Sequence, residues 1–401
     1  MGHVVEVSSF IAFTLGMVVH FIGDMLTRRV GLLRRVSIPE AVAGGLAVAL
    51  GAWALQAGTG TELSFDLEVR DALLVVFFTT IGLNARFADL RRGGRPLAVL
   101  LGLTLAFMVL QNIVGLLGVT LFGLPTGLSV LVGSAALIGG HGTAIAWGPE
   151  IAATGIEGAA EIGIAAATFG LVLAALIGGP VAQFLIARHD LSPEVEDAPP
   201  MVGLRHHEEA GVAFGYVALL RCLLTVNLAI LLGYGLDGLI AAAGVRLPLF
   251  VSCLLVGIVI ANLQPLALPR APRVSGTPML ALVSEFALSV FLGMSLMSMQ
   301  LWTLAGLAGP LVGILALQVA LTLAFCVFVL FPLMGRGYRA AVLGAGFAGF
   351  ALGATPTAIA NMTAVTKRHG PSPVAFIILP LVSAFFVDLA NAFIIQAFLA
   401  L

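Results

Sequence analysis

Ten stretches of this chain are apolar over roughly the 20 residues that a helix needs to cross a bilayer. They fall at 8–27, 38–57, 72–88, 96–122, 160–187, 215–243, 248–268, 278–302, 309–335 and 374–401. In hydrocarbon every backbone N–H and C=O must be satisfied within the protein, so the chain is held to a bundle of membrane-crossing helices. Composition agrees. The chain is 60% hydrophobic and 10% charged, against about 25% charged in a soluble domain. An all-α polytopic membrane protein follows, with the lipid bilayer as its first partner and no nucleic acid expected.

Two further apolar stretches, about 126–154 and 340–366, are interrupted by Gly, Pro and Thr. The bias of Lys and Arg toward the cytoplasm decides whether they cross. If both turn back as re-entrant hairpins and the N-terminus is outside, 17 of the 19 basic residues are cytoplasmic and only Arg70 and Arg246 are not. If both cross, the tally is 11 against 8. Length supports hairpins as well, because half of such a stretch is ~14 residues, or about 21 Å of helix. That passes the middle of a ~30 Å core without crossing it. Both termini are then periplasmic. No basic segment precedes the first apolar stretch, so no cleavable signal peptide is expected.

The chain divides into two related halves. "SIPEAVAGGLAVALG" (37–51) aligns with "RLPLFVSCLLVGIVI" (246–260), "TTIGLNARF" (79–87) with "VFLGMSLMS" (290–298), and "HGTAIAW" (141–147) with "TPTAIAN" (355–361). Residues 1–188 are expected to form one unit of five spans and a hairpin. Residues 212–401 form the second, and the polar, acidic segment 189–211, with His206 and His207, is a cytoplasmic linker. Five spans is an odd number, so the second unit is inserted upside down. Inverted repeats with broken helices near the midplane belong to secondary transporters.

The hairpin tips carry the candidate site. Gly139, Gly140 and Gly142 permit close backbone approach, and a helix starting after such a break aims free N–H groups and a positive dipole end at its surroundings. That can hold a carboxylate without arginine, and every arginine falls in a loop or at a span end. Thr143, Thr355, Thr357, Ser134 and Asn361 are the expected donors. Asp388 is the carboxylate set well inside a span, at a cost of roughly 2.5–3.5 kcal/mol, so it needs a partner: a cation, a substrate ammonium, or a proton of its own. Asn391, at i+3, shares its face. Asn84, Thr80 and Ser295 are candidate cation or substrate ligands, with local capping as the alternative. Gln111, Asn112 and Asn227 read equally well as interhelical polar contacts. His141 is either a proton shuttle or a neutral hydrogen-bond partner. Cys222, Cys253 and Cys326 lie at no metal or disulfide spacing and read as packing thiols. No Walker loop, CxxC or HExxH occurs, and His141 has no companion for nucleophilic catalysis, so no enzyme and no cofactor is expected. A channel would need an open pore.

At "IPEAVAGGL", "TIGLNA", "GGHGT", "FGLVLAALIGGPVA" and "GATPTAIANM" the chain resembles the bacterial sodium/glutamate symporter family, in that order and over essentially its whole length. One departure is Ala144-Ile145, where the family often has glycine. The resemblance implies L-glutamate import with Na⁺ as the coupling ion, through a homodimer in the inner membrane. It implies two inverted five-helix repeats whose transport part moves elevator-fashion, and it makes the tips, including Pro356, the substrate site. A proton-coupled or citrate-like carboxylate transporter of the same architecture is the alternative. Of the spans, the second and fourth, rich in Leu and Val, are the expected scaffold.

Overall fold

A computed structural model describes residues 4–35, 38–86, 94–193, 215–242, 247–267, 272–300, 307–385 and 387–400. Most of the expected linker, 194–211, and Arg246 lie outside the described residues. Helices account for nearly all of the rest. In chain order they are α1 (Ser9–Arg29), α2 (Glu40–Thr59), α3 (Glu68–Asn84), α4 (Gly94–Leu121), α5 (Gly140–Ala152), α6 (Ala159–His189), α7 (Tyr216–Ala242) and α8 (Leu249–Ala267). Then follow α9 (Pro278–Met297), α10 (Ala308–Leu333), α11 (Tyr338–Ala351), α12 (Thr355–His369), α13 (Pro373–Phe385) and α14 (Val387–Leu399). Among the described residues eight helices are long and apolar enough to cross a membrane, and a ninth if α13 and α14 count as one span. At 17 residues, α3 is shorter than each of those eight. One feature falls outside the all-α expectation: β1 (Val4–Val7) pairs in parallel with β2 (Glu62–Phe65), tying the start of α1 to the loop before α3.

Local chemistry explains several boundaries. Thr277 caps α9 by accepting the Leu280 N–H, and Pro278 follows where a missing N–H costs nothing. Within α10 a π-helical turn, Cys326–Leu330, precedes Pro332, whose ring would clash with the carbonyl four residues back in a regular helix. The stretch expected as the last span, 374–401, is broken into two helices, α13 and α14, meeting at 46°. Asp388 therefore lies in the first turn of α14.

The helices sort into two bundles. Helices α1, α2, α3, α7, α8 and α9 pack mainly on one another. Helices α4, α6, α10, α13 and α14 pack around two hairpins, one formed by 126–139 with α5 and the other by α11 with α12. Both hairpins are antiparallel: Gly127 faces Ile151, and Gly349 and Gly346 face Ala358 and Met362. The fourth span, α4, packs with the hairpins and not beside α2. An apolar core built from Phe107, Phe325 and Phe347 holds α4, α10 and α11 together. All three cysteines are buried and free.

Candidate functional site

The two hairpins bring their tips together. Helix α5 starts at Gly140, which has φ +70°, a conformation that suits glycine. A methyl group placed there would sit 3.7 Å from the Gly353 carbonyl of the other tip. Helix α12 starts at Thr355 after the extended Ala354. No side chain caps either start, so the first-turn N–H groups have no partner within the helix or from a cap. Two positive helix ends face one space.

That space is a cavity of about 200 Å³, the size for a small solute rather than a drug-sized ligand. Gly139, Gly140, His141, Gly142 and Thr143 line it from the first hairpin, Gly353, Ala354 and Thr355 from the second, and Ser383 and Asp388 from the broken span. The other bundle closes it with Pro39, Phe77, Leu288 and Leu292. Among the described residues neither Lys nor Arg lines it, and Asp388 is its one carboxylate. Such a cavity offers backbone donors for anionic groups and one negative charge for a cation or an ammonium.

Side chains around the tips are held in place by each other. Thr355 Oγ1 donates to Ser383 Oγ at 2.9 Å, linking the second tip to the broken span. His141 Nε2 lies 2.9 Å from Thr168 Oγ1, whose hydroxyl reaches the Ile164 carbonyl at 2.9 Å. With that proton engaged, the imidazole donates from Nε2 and keeps Nδ1 as an acceptor. Thr357 is fully buried, and among the described residues its hydroxyl has no partner. Asn361 donates to the carbonyls of Ala174 and Ala345 at 3.0 and 3.4 Å, so it braces the hairpin against α6. A side chain at Gly178 would collide with that amide, which gives the "LIGGPVA" stretch a packing reason.

Behind the first tip lies a fully buried amide network. Asn391 Nδ2 donates to the Ser134 carbonyl at 3.0 Å, and Asn112 Oδ1 accepts the Ser134 N–H at 2.7 Å. Gln318 donates to the carbonyls of Gln111 and Val132 at 2.8 and 3.0 Å, and Gln111 donates to Ala351 at 2.7 Å. Among the described residues Ser134 Oγ, Asn391 Oδ1, Gln111 Oε1, Gln318 Oε1 and Asn112 Nδ2 of this network have no partner.

The expected residues therefore divide. The tip residues 139–143, Thr355 and Asp388 line one cavity. Pro356, Thr357 and Asn361 stand in the first turns of α12 behind it, and Asn391 is one turn beyond Asp388. Three others are elsewhere. Thr80 Oγ1 donates to the Phe77 carbonyl at 2.6 Å and lies 2.8 Å from Ser284 Oγ; Asn84 Oδ1 accepts the Gly276 N–H at 3.0 Å. Ser295 donates to the Phe291 carbonyl at 2.8 Å and lines a different cavity with Glu62, Arg70 and Glu161. Ser383, Thr168 and Gln318 escaped the sequence reading, because nothing in their local patterns separates them from ordinary polar residues of a span.

Comparison with known proteins identifies the family. A family profile described as sodium/glutamate symporter matches residues 5–371. The chain is 40% identical over 403 residues to the sodium/glutamate symporter of Escherichia coli (strain K12), covering 100% of this chain and 99% of that one. The sodium/glutamate symporter of Haemophilus influenzae is 39% identical over 392 residues, covering 97% and 96%. These relatives are named as symporters and not as enzymes.

Proposed function

The chain belongs to the sodium/glutamate symporter family, and we propose on that premise that it imports L-glutamate together with Na⁺ across the bacterial inner membrane by alternating access. The observation that carries the reading is the meeting of two uncapped helix starts on a cavity with one carboxylate and no arginine. The substrate carboxylates take the N–H groups of the first turns of α5 and α12, with Thr143 and Thr355 beside them. The ammonium or a Na⁺ takes Asp388. The unpartnered oxygens Asn391 Oδ1 and Ser134 Oγ serve Na⁺ beside it, because hard cations prefer oxygen ligands.

The two hairpins are re-entrant and the halves 1–188 and 212–401 are inverted repeats joined by the cytoplasmic linker. Gln111 and Gln318 support this reading, since each stands at a matching place in its half and each holds a carbonyl of the other half's hairpin. The hairpin bundle moves elevator-fashion against the six-helix bundle, which carries the homodimer contact, and both termini are periplasmic. Glutamate bears a net charge of −1, so one Na⁺ makes the step electroneutral. Each further Na⁺ gains about 2.3 kcal/mol per 100 mV and about 1.4 kcal/mol per tenfold gradient.

Radiolabelled L-glutamate uptake into liposomes containing the purified protein tests the reading. Uptake is expected only with an inward Na⁺ gradient, and Asp388→Asn is expected to lower it at least tenfold while leaving the folded protein intact. Uptake driven by a proton gradient without Na⁺ would reassign the coupling ion. No uptake under any gradient would remove glutamate as the substrate.

A further inference from the structure

A second cavity, of about 320 Å³, lies away from the tips on the six-helix bundle, between the start of α7 and the loop leading into α9. Its walls are mainly apolar, with Leu224, Val274 and Met279 among them; among the described residues its charged groups are the guanidinium-bearing Arg221 and Arg273, and no carboxylate lines it. Among the described residues neither arginine forms an ion pair. Residues 272–277 of that loop are tied to their surroundings. Gly276 donates to Asn84 Oδ1 at 3.0 Å, Thr277 caps α9, and Gln264 holds the Pro272 carbonyl at 3.3 Å.

Depth and direction narrow the ligand. Arg221 is the sixth residue of α7, about 8 Å along the helix from its start. From it the exposed Leu224, Leu228, Leu231 and Leu232 continue along one side of α7 at helical spacing. A pair of cations at the mouth, an apolar hollow below them and an apolar track leading onward match a molecule with an anionic head and an acyl tail. On the orientation proposed above, this is the cytoplasmic leaflet, where basic pockets between helices take anionic head groups. We propose that this cavity binds an anionic phospholipid, its phosphate between Arg221 and Arg273 and one acyl chain along α7. The bound lipid bridges α7 to the loop before α9 and so stiffens the six-helix bundle. This inference does not depend on what the chain transports.

The test is the thermal unfolding midpoint of the purified full-length protein in detergent, with phosphatidylglycerol or phosphatidylcholine of identical chains added. Native mass spectrometry counts the lipids retained. Phosphatidylglycerol is expected to raise the midpoint by at least about 2 °C, with retention of lipid, and phosphatidylcholine to do neither. The double variant Arg221→Gln/Arg273→Gln is expected to unfold at the same temperature as the parent in phosphatidylcholine and to lose the phosphatidylglycerol shift. Arg188→Gln, an exposed arginine on the other bundle, is expected to keep it. Equal effects of the two lipids, an unchanged shift in the double variant, or the same shift from glycerol phosphate without acyl chains would each overturn the proposal.

Discussion

The two hairpins share Thr-Ala-Ile-Ala just after their tips, yet their first arms are built differently. In the second hairpin the first arm is a regular helix, α11, whose backbone satisfies itself until Ala351. In the first hairpin the arm before Gly139 is a mixture of turns. Leu131 N–H bonds three residues back to Leu128, Leu137 four back to Gly133, and Ala135 and Gly139 five back to Val130 and Ser134. Such a backbone leaves groups over, and a dry interior requires that they be met. Gln318, Asn112 and Asn391 supply that need at Val132 and Ser134, whereas the second arm takes an amide from Gln111 at its end and the long bond from its own hairpin's Asn361 at Ala345. The irregular arm is why so many amides lie buried beside the first tip.

This contrast can be broken by mutation. Gln318→Leu takes the side-chain donor from the buried carbonyls of Val132 and Gln111, the second of which keeps its place in the α4 ladder, and we expect a loss of about 1–3 kcal/mol, mainly at Val132, read as a lower unfolding midpoint. A midpoint equal to the parent's would show that the first arm does not lean on α10. Gly140→Ala comes next, at about 1–2 kcal/mol, because its left-handed conformation strains any side chain; glutamate uptake is expected to fall with it. Gln111→Leu removes one donor from the end of a regular helix and is expected to cost about 1 kcal/mol. A cost matching that of Gln318→Leu would erase the distinction between the arms. Smallest in stability is Thr357→Val, which deletes a hydroxyl with no partner at nearly constant shape. It is expected to leave the midpoint within about 0.5 kcal/mol of the parent while raising the KM for glutamate several-fold, and an unchanged KM would take Thr357 out of the site.

Much of this was legible in the residues because the bilayer is a severe solvent. A span must be apolar for about 20 residues, so the helices fall close to the apolar stretches, α1 at Ser9–Arg29 against 8–27 and α6 at Ala159–His189 against 160–187. Glycine and threonine in such a stretch are conspicuous, and the tips at 139–143 and 355 were found that way. Thr80, Asn84 and Ser295 were conspicuous for the same reason, but a polar residue in a span announces only that it needs a partner. Thr80 and Ser295 bond carbonyls one turn back, at Phe77 and Phe291, while Thr80 and Asn84 reach across to Ser284 and Gly276.

The sequence by itself determined where most of the helices run and that the chain breaks at the two tips, because those depend on local polarity and length; the break between α13 and α14 was not legible in it. Which helices share a bundle, that α4 stands with the hairpins, that Ser383 meets Thr355 and that Asn391 reaches back to Ser134 were decided only by tertiary structure. In a chain where nearly every helix is apolar on all sides, hydrophobic pattern no longer marks an inner face. Partner choice then rests on side-chain shape and on a few hydrogen bonds between residues hundreds of positions apart.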